Sequence, residues 1–244
     1  MNRKLLRCFV LAFCLLTVPG CGIIDMIYLP PAEDTAQEIF EAANEAMSEK
    51  NYVRAAELYN KLRDTYPFSP YTLDAELSLA DAYYLDEDYG LAAEHYKDFE
   101  SLHPRHPAIP YVLYQTGMSL LRAFRSIDRT TVELQEAYDC FNRLRQTFPD
   151  SQYVKSAEEH MAECRKLMAE HEFFIADVFW HMKKYGPAWR RYTYLSENFT
   201  DVPGVAEHAR EKSKAAYYHH REEEGREKRE ERQGSWNKWF KRWL

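Results

Sequence analysis

Apolar and small residues recur at helical spacing along this chain, and one pattern of them occurs four times. Its first copy is Tyr52, Ala55, Tyr59, Leu62 and Pro67. The later copies are Tyr89, Ala92, Tyr96, Phe99 and Pro104; Leu134, Ala137, Phe141, Leu144 and Pro149; and Tyr185, Ala188, Tyr192, Leu195 and Thr200. A self-similar unit of this length that ends at proline is typical of a helical repeat array. Such arrays present a long concave surface to other proteins.

The segments between these units also have helical periodicity, as at Ile39, Ala43 and Ala46. No segment shows sustained strand alternation. The sequence therefore predicts an all-α fold, a helical repeat array of the α-solenoid type. We expect the first three repeats in residues 33–150 and the C-terminal repeats in residues 151–220.

The interval between the third and fourth units is the longest of the three. Residues 151–185 contain neither glycine nor proline. At ~1.5 Å per residue they predict one helix of roughly 50 Å. This spine would join the N-terminal repeats to the C-terminal ones, and a break near residues 169–171 is the alternative.

Residues 1–20 have the pattern of a secretory signal peptide. A basic start precedes an apolar run at residues 8–18, which is shorter than the roughly 20 residues that span a bilayer as a helix. We expect cleavage before Cys21 and acylation of its thiol and new amine, as in bacterial lipoproteins. Such chains anchor a protein without spanning the membrane. Gly22 favours the outer membrane, and residues 21–32 would be the lipidated tether.

Composition changes abruptly after residue 220. Residues 221–232 include five basic and six acidic side chains, so residues 221–234 are predicted to be a charged helix or linker. In the tail, residues 235–244, Trp236, Trp239, Phe240 and Trp243 fall on one helical face. Lys238, Lys241 and Arg242 lie mainly on the other. We expect the aromatic face to contact a membrane or a partner, with docking on the protein itself as the alternative.

The charge and the cysteines narrow the possible functions. Loss of the basic residues of the signal peptide changes the formal net charge from −7 to −10. This acidic balance argues against a nucleic-acid partner, which would favour a basic surface. Cys140 and Cys164 remain in the lipidated chain. Two buried, apolar thiols are favoured over one disulfide.

No set of residues typical of catalysis or metal binding is present. His171-Glu172 begins like a zinc-protease motif, but Ile175 stands where the second histidine belongs. Phosphate loops, nucleophile elbows and CxxC pairs are missing from the sequence. We therefore expect no enzyme activity, no metal and no cofactor besides the covalent lipid on Cys21.

Several segments match more than a generic repeat. Residues 66–71 look like the Y-P-F-x-P-Y junction of the BamD (YfiO/ComL) family of bacterial lipoproteins, and residues 106–117 resemble its H-P-x-I-x-Y-V-x-Y-x-x-G segment. Ala82-Tyr83-Tyr84, Asp128-Arg129 and residues 148–153 complete the resemblance, which covers residues 20–220. Residues 126–132 look shorter than in relatives, and the tryptophan-rich tail lies outside the family pattern.

The resemblance implies five tetratricopeptide-like repeats in a non-catalytic part of the machine that folds β-barrel proteins into the outer membrane. The N-terminal repeats would bind unfolded outer-membrane proteins, and the C-terminal repeats would dock on the POTRA domains of BamA. Residues that match the family's motifs near the substrate groove are Tyr71, Tyr83, Tyr84, Tyr111 and Tyr114. Lys183 and Lys184 lie near the BamA-docking region, although their local sequence departs from the family's pattern.

The implied location is the periplasmic face of the bacterial outer membrane, held by lipid. Accessory lipoproteins of the machine differ among bacteria, so the sequence does not identify them. Two other functions fit a lipidated repeat array. One is an adaptor for pilus or secretin assembly, and the other is a periplasmic regulator of cell-wall enzymes.

Overall fold

The computed structural model describes residues 35–233, 239–240 and 242–243. Residues 35–233 form nine α-helices and contain no strand. These helices are α1 (Ala36–Ser48), α2 (Tyr52–Thr65), α3 (Thr72–Leu85), α4 (Tyr89–Leu102), α5 (Ile109–Ala123), α6 (Val132–Thr147), α7 (Val154–His181), α8 (Tyr185–Asn198) and α9 (Val205–Gln233). The all-α prediction is therefore confirmed.

Helices that follow one another in the chain pack against one another. The largest contact surfaces join each helix to the next one, and α9 also touches α7. The array consists of the pairs α1/α2, α3/α4, α5/α6 and α7/α8, followed by α9. This nearest-neighbour packing is the signature of a solenoid, so the tetratricopeptide-like prediction is confirmed, with α9 alone representing the fifth unit in residues 35–233.

The turn inside a pair has the same backbone form three times. Lys50, Glu87 and Lys183 adopt left-handed conformations with φ of 62°, 63° and 60°. In the first of these turns the Lys50 N–H donates to Met47 O at 3.0 Å, and the Asn51 N–H donates to Ala46 O at 2.9 Å. These bonds satisfy carbonyls left open at the helix end. The third pair differs, because the longer segment 124–131 joins α5 to α6.

The turn between pairs is repeated four times. In the first, the N–H groups of Tyr66, Ser69 and Thr72 donate to Leu62 O, Tyr66 O and Ser69 O at 2.8, 3.0 and 3.1 Å. Equivalent sets of three bonds occur at residues 103–109, 148–154 and 199–205. Each set begins one residue before Pro67, Pro104, Pro149 or Thr200. The prolines of the sequence pattern thus mark the turns between pairs.

The repeated apolar positions form the core. Ala55, Ala92, Ala137 and Ala188 are fully buried, and so are the large rings at Tyr96, Phe141 and Tyr192. Alanine lets two helices approach closely, while the ring one turn later fills the space between pairs. Full burial of a ring such as that of Phe141 is worth about 1.5–3 kcal/mol.

The spine helix is α7, with 28 residues. At about 1.5 Å per residue its length is roughly 42 Å. It runs without interruption through residues 169–171, so the alternative of a break there is wrong. It is shorter than the predicted range 151–185 because Tyr153 caps its start and residues 182–184 form the turn to α8.

The last helix extends past the expected change of structure at residue 220. Helix α9 has 29 residues and continues through the charged segment to Gln233. Its buried side chains are Ala209 and Ala216, in its first half. None of the helices in the described residues is long and apolar enough to cross a bilayer. The predicted signal peptide, Cys21, the tether 21–32 and Trp236 lie outside the described residues.

Candidate functional site

Three tyrosines from neighbouring pairs meet in a cluster that we call the tyrosine triad: Tyr111, Tyr114 and Tyr153. Tyr111 and Tyr114 lie one turn apart on α5, and Tyr153 is the cap residue of α7. The Tyr114 and Tyr153 rings stack with centroids 5.2 Å apart, and the Tyr111 and Tyr153 centroids are 5.9 Å apart. All three side chains are partly exposed. The triad therefore offers aromatic surface to a ligand.

A partly buried carboxylate fixes one member of the triad. The Tyr111 hydroxyl donates to Asp81 Oδ1 at 2.6 Å, and the core residue Tyr96 donates to the same atom at 2.5 Å. Burial raises the pKa of Asp81, and burial together with Asp81 raises the pKa of Tyr111. The Gln115 amide donates to the Tyr111 oxygen at 3.1 Å. Because the Tyr111 hydroxyl donates to Asp81 and accepts from Gln115, the ring is the part of Tyr111 that can contact a ligand.

A pocket of about 630 Å³ lies beside the triad, between two successive inter-pair turns. Its walls include Tyr111, Tyr153, Phe148, Pro107 and Pro110. These side chains are rings, and the other lining residues include Asp150, Ser151 and Gln152 of the second turn. A pocket of this kind suits an extended peptide segment with an apolar or aromatic side chain.

Tyr84 lies in a second aromatic group that includes a cation. Its ring meets the edge of Tyr89 at 5.5 Å, and Arg122 Cζ lies 5.3 Å from the Tyr84 centroid and 5.7 Å from that of Tyr89. Arg122 also donates to the Tyr89 hydroxyl at 3.3 Å. Burial raises the pKa of Tyr84. This group combines aromatic area with an exposed positive charge.

Tyr71 and Tyr83 have their contacts in the first pairs of the array. Tyr71 stacks on Phe40 of α1 with centroids 5.3 Å apart. Tyr83 stacks on His95 at 5.0 Å and accepts a 3.3 Å hydrogen bond from Asn60. Within residues 35–233, neither ring forms a ring pair with a member of the triad. The structure therefore brings together Tyr111 and Tyr114 among the five predicted tyrosines, and it leaves Tyr71 and Tyr83 apart from them.

Three residues of these clusters were missed from sequence. Tyr153 has the same place in its inter-pair turn as Tyr71 has in the first, so alignment of the turns would have found it. Tyr89 belongs to the repeated pattern and was not among the predicted site residues. The role of Arg122 could not be predicted from sequence, because its position over the Tyr84 and Tyr89 rings depends on how α5 packs against α3 and α4.

Lys183 and Lys184 are exposed in the turn between α7 and α8. Beside them, Trp180 meets the edge of Tyr185 at 5.2 Å, and Tyr185 stacks on His219 of α9 at 4.8 Å. The two ammonium groups thus border an aromatic cluster built from the last three helices. A role in docking on BamA stays a prediction for these lysines.

The residues that resembled a metal motif have other contacts. His171 Nδ1 donates to Ile127 O at 2.6 Å, and Glu172 accepts from Arg191 at 2.6 Å. Within the described ranges, no group of three or more histidine, cysteine or acidic residues could hold a metal ion.

The two cysteines of the array are free and buried. Burial raises the pKa of Cys164 to about 12, and it also raises the pKa of Cys140. Both therefore stay protonated near neutral pH, as expected for thiols that pack as small apolar groups.

Part of the tryptophan-rich tail is described. Trp239 and Phe240 are helical, and Trp243 lies in a turn. Trp239 contacts Phe240 and Trp243, with centroids 5.4 and 6.3 Å apart. Of the aromatic residues predicted to share a face, the three that the structure describes therefore cluster with one another.

Comparisons with known proteins agree with the resemblance. BamD, the outer membrane protein assembly factor, of Neisseria meningitidis serogroup A is 27% identical over 215 residues, which cover 84% of this chain and 80% of the relative. The protein of the same name from Vibrio cholerae is 25% identical over 184 residues, or 71% of this chain and 74% of the relative. The family model YfiO, described as outer membrane lipoprotein, matches residues 32–232. Because this match covers most of the chain and nearly all of the helical array, the protein belongs to the YfiO family of outer membrane lipoproteins.

Proposed function

We propose that this protein is a non-catalytic scaffold of the β-barrel assembly machine at the periplasmic face of the outer membrane. In this role it binds unfolded outer-membrane proteins and the POTRA domains of BamA. The observation that supports this best is the family match over residues 32–232, which includes all five predicted substrate-binding tyrosines. A lipid on Cys21 would hold the array at the membrane, with no further cofactor.

The tyrosine triad is the proposed centre of substrate binding. An unfolded barrel protein presents extended segments with alternating apolar and aromatic side chains. The pocket beside Tyr111 and Tyr153 suits one such side chain, and Tyr114 adds an exposed ring face. Because Asp81 fixes Tyr111 before binding, less side-chain entropy is lost in the complex.

The BamA contact is proposed for the other end of the array. The turn with Lys183 and Lys184 projects two positive charges next to the aromatic cluster of Trp180 and Tyr185. A surface with an apolar centre and a charged rim is typical of stable protein interfaces. It follows the C-terminal end of α7, whereas Tyr153 of the triad lies at the N-terminal end of this 28-residue helix, so substrate and BamA would bind at separate places.

Affinity purification from detergent-solubilised membranes tests the function as a whole. A tagged full-length chain is expected to recover BamA. Recovery of a secretin or pilus subunit without BamA would support an adaptor for those machines and contradict the proposal. Recovery of cell-wall enzymes alone would contradict it as well.

Substitution of Tyr114 tests the substrate site. We expect Tyr114→Ala to weaken binding of a urea-unfolded, then diluted, outer-membrane protein about tenfold, since a stacked interface aromatic is worth on the order of 1–2 kcal/mol. Tyr194→Ala is the matched control, because Tyr194 is an exposed tyrosine on α8, far along the chain from the triad. Equal weakening by the two substitutions would exclude the triad as the binding centre.

Charge reversal tests the BamA-docking turn. Lys183→Glu combined with Lys184→Glu is expected to reduce retention of a purified POTRA fragment about fivefold or more. Lys50→Glu is the control, since Lys50 has the same left-handed position in the first pair. Unchanged retention by the double variant would remove these lysines from the interface and leave the substrate-binding proposal intact.

A further inference from the structure

We propose that the C-terminal tail is a second, lipid-independent membrane contact, which binds an anionic lipid surface through Trp239, Phe240, Arg242 and Trp243. The family match ends at residue 232. The tail therefore lies outside what the family comparison covers. The inference stands on the exposure, charge and composition of these residues and does not rest on the proposed function.

The aromatic residues of the tail present most of their surface to solvent. Trp239, Phe240 and Trp243 are 54%, 58% and 78% exposed. Their rings contact one another, so they form one apolar patch instead of three separate side chains. Rings packed on the protein's own array would be mostly covered. These exposures favour an external surface over self-docking.

The charge of the tail differs in sign from that of the protein. Residues 233–244 contain Lys238, Lys241 and Arg242 and no acidic side chain, whereas the whole chain has a formal net charge of −7. A short basic segment on an acidic protein is attracted to an anionic surface while the rest of the protein is repelled by it. Anionic lipid headgroups provide such a surface.

The type of apolar residue in the patch fits a lipid surface. Anchors at i, i+3, i+4 and i+7 suit a protein groove as well as a membrane, so the spacing alone does not separate the two. Here the patch is two tryptophans and a phenylalanine. Tryptophan concentrates at the headgroup level of membranes, where its ring is in an apolar layer and its N–H meets water. The composition therefore favours an interfacial lipid site.

Helix α9 continues well beyond its last contact with α8 before the tail begins. The contacts of α9 with α8 extend to His220, whose ring lies 5.9 Å from Trp189. Beyond it the ion pairs are local to α9, such as Arg221–Glu224 at 2.8 Å and Arg226–Glu223 at 4.0 Å. At ~1.5 Å per residue, residues 221–233 extend the helix by roughly 20 Å. The tail can thus meet a membrane without bringing the acidic array against it.

Vesicle co-sedimentation tests this inference. The chain from residue 21 with Cys21→Ser contains all described residues and has no lipid. We expect it to bind vesicles of phosphatidylglycerol and phosphatidylcholine, and to be released by 0.5 M salt. Trp239→Ser with Trp243→Ser should lower binding at least tenfold. Lys241→Gln with Arg242→Gln should lower it about fivefold for each charge removed.

Tyr218→Ser is the matched control, because Tyr218 is an aromatic of α9 that is 73% exposed and lies outside the tail. It should bind vesicles like the parent chain. Equal binding by the parent and the double tryptophan variant would overturn the inference. So would equal, salt-insensitive binding to pure phosphatidylcholine, or a loss in Tyr218→Ser as large as in the tail variants. Tail-dependent capture of a protein without any vesicle binding would show a protein partner and would also overturn it.

Discussion

At the scale of single residues, the buried tyrosines of the array each bond to a polar side chain 15 positions earlier in the chain. Tyr59 donates to Asn44 at 2.6 Å, Tyr96 donates to Asp81 at 2.5 Å, and Tyr192 donates to Asp177. A buried hydroxyl without a partner would cost about 1–3 kcal/mol. In these pairs the repeated tyrosine therefore supplies a buried ring to the core and also a hydrogen bond between the two helices of the pair.

The third pair replaces that bond by tight packing. Phe141 has no hydroxyl, and its ring lies against Gly117 so closely that a Cβ there would be 2.6 Å from Phe141 Cε1. We expect Gly117→Ala to destabilise the protein by about 1–3 kcal/mol, as overpacking does in well-packed cores. Urea unfolding followed by circular dichroism measures this change. Gly90→Ala is the control, since its Cβ would meet only Asp88 Oδ1, at 3.7 Å; a similar loss there would contradict the packing explanation.

Titration of the Asp81 carboxyl makes the free energy of unfolding depend on pH. Because burial raises its pKa above 3.8, the folded protein keeps this proton at pH values where the unfolded chain has lost it. The contribution of Asp81 to stability therefore falls as pH rises through the window between the unfolded and folded pKa values, and it is constant above that window.

We expect Asp81→Asn to remove this slope, since the amide oxygen can still accept both tyrosine hydroxyls. Denaturation midpoints measured from pH 3.5 to pH 8 test it. Asp201→Asn should instead remove a loss of stability that the parent protein shows as pH falls. Arg165 lowers the pKa of Asp201, so its contribution is lost as pH falls. Identical pH profiles for the parent and Asp81→Asn would be inconsistent with a buried, titrating Asp81.

At the scale of elements, the turns inside the pairs contain strain that the sequence does not reveal. The φ angles of Lys50, Glu87 and Lys183 are near +60°. This left-handed conformation is unfavourable for residues that have a Cβ. Glu87→Gly should stabilise the protein by up to about 1 kcal/mol, because glycine adopts this conformation freely. Asp86→Gly is a fitting comparison, since Asp86 has φ of −79° and should lose stability. Thermal melts that rank these variants the other way would refute the explanation.

The elements also show how far the sequence was informative. Periodicity and proline located the helix pairs and the turns between them, because burial and the missing proline N–H are local properties. The ends of α7 were placed three or four residues too far out, since its limits depend on the backbone bonds of the flanking turns. The left-handed turns were missed because lysine and glutamate stand where glycine would have marked them.

The candidate site was less predictable than the fold. Family motifs selected Tyr111 and Tyr114, and both pack against Tyr153. Their partner Tyr153 and the carboxylate of Asp81 come from other helices, 30 or more residues away in the chain. Which tyrosines share a surface is fixed by the packing of α3, α5 and α7, and no spacing within a single helix expresses it.

At the scale of the whole molecule, helix α9 combines a packed half with a solvated half. Tyr217 and His220 contact Trp189 of α8 at 5.1 and 5.9 Å. Truncation after Gly225 should leave Tm unchanged, because the ion pairs lost are exposed and worth little. Truncation after Gly204 uncovers α8 and should lower Tm by about 4–8 °C for a loss of 2 kcal/mol. Differential scanning calorimetry distinguishes the two; a large drop in the shorter truncation would show unexpected packing of the charged segment.

The inter-pair turn with its three successive hydrogen bonds is the one part of the array that never varies in length. The distance in sequence from one such turn to the next grows from 37 to 45 to 51 residues, while the turn itself stays the same. The array therefore joins segments of different length through turns that have the same hydrogen bonds. Added residues between two such turns would change the surface that a pair displays and leave the hydrogen-bonded turn to the next pair unaltered.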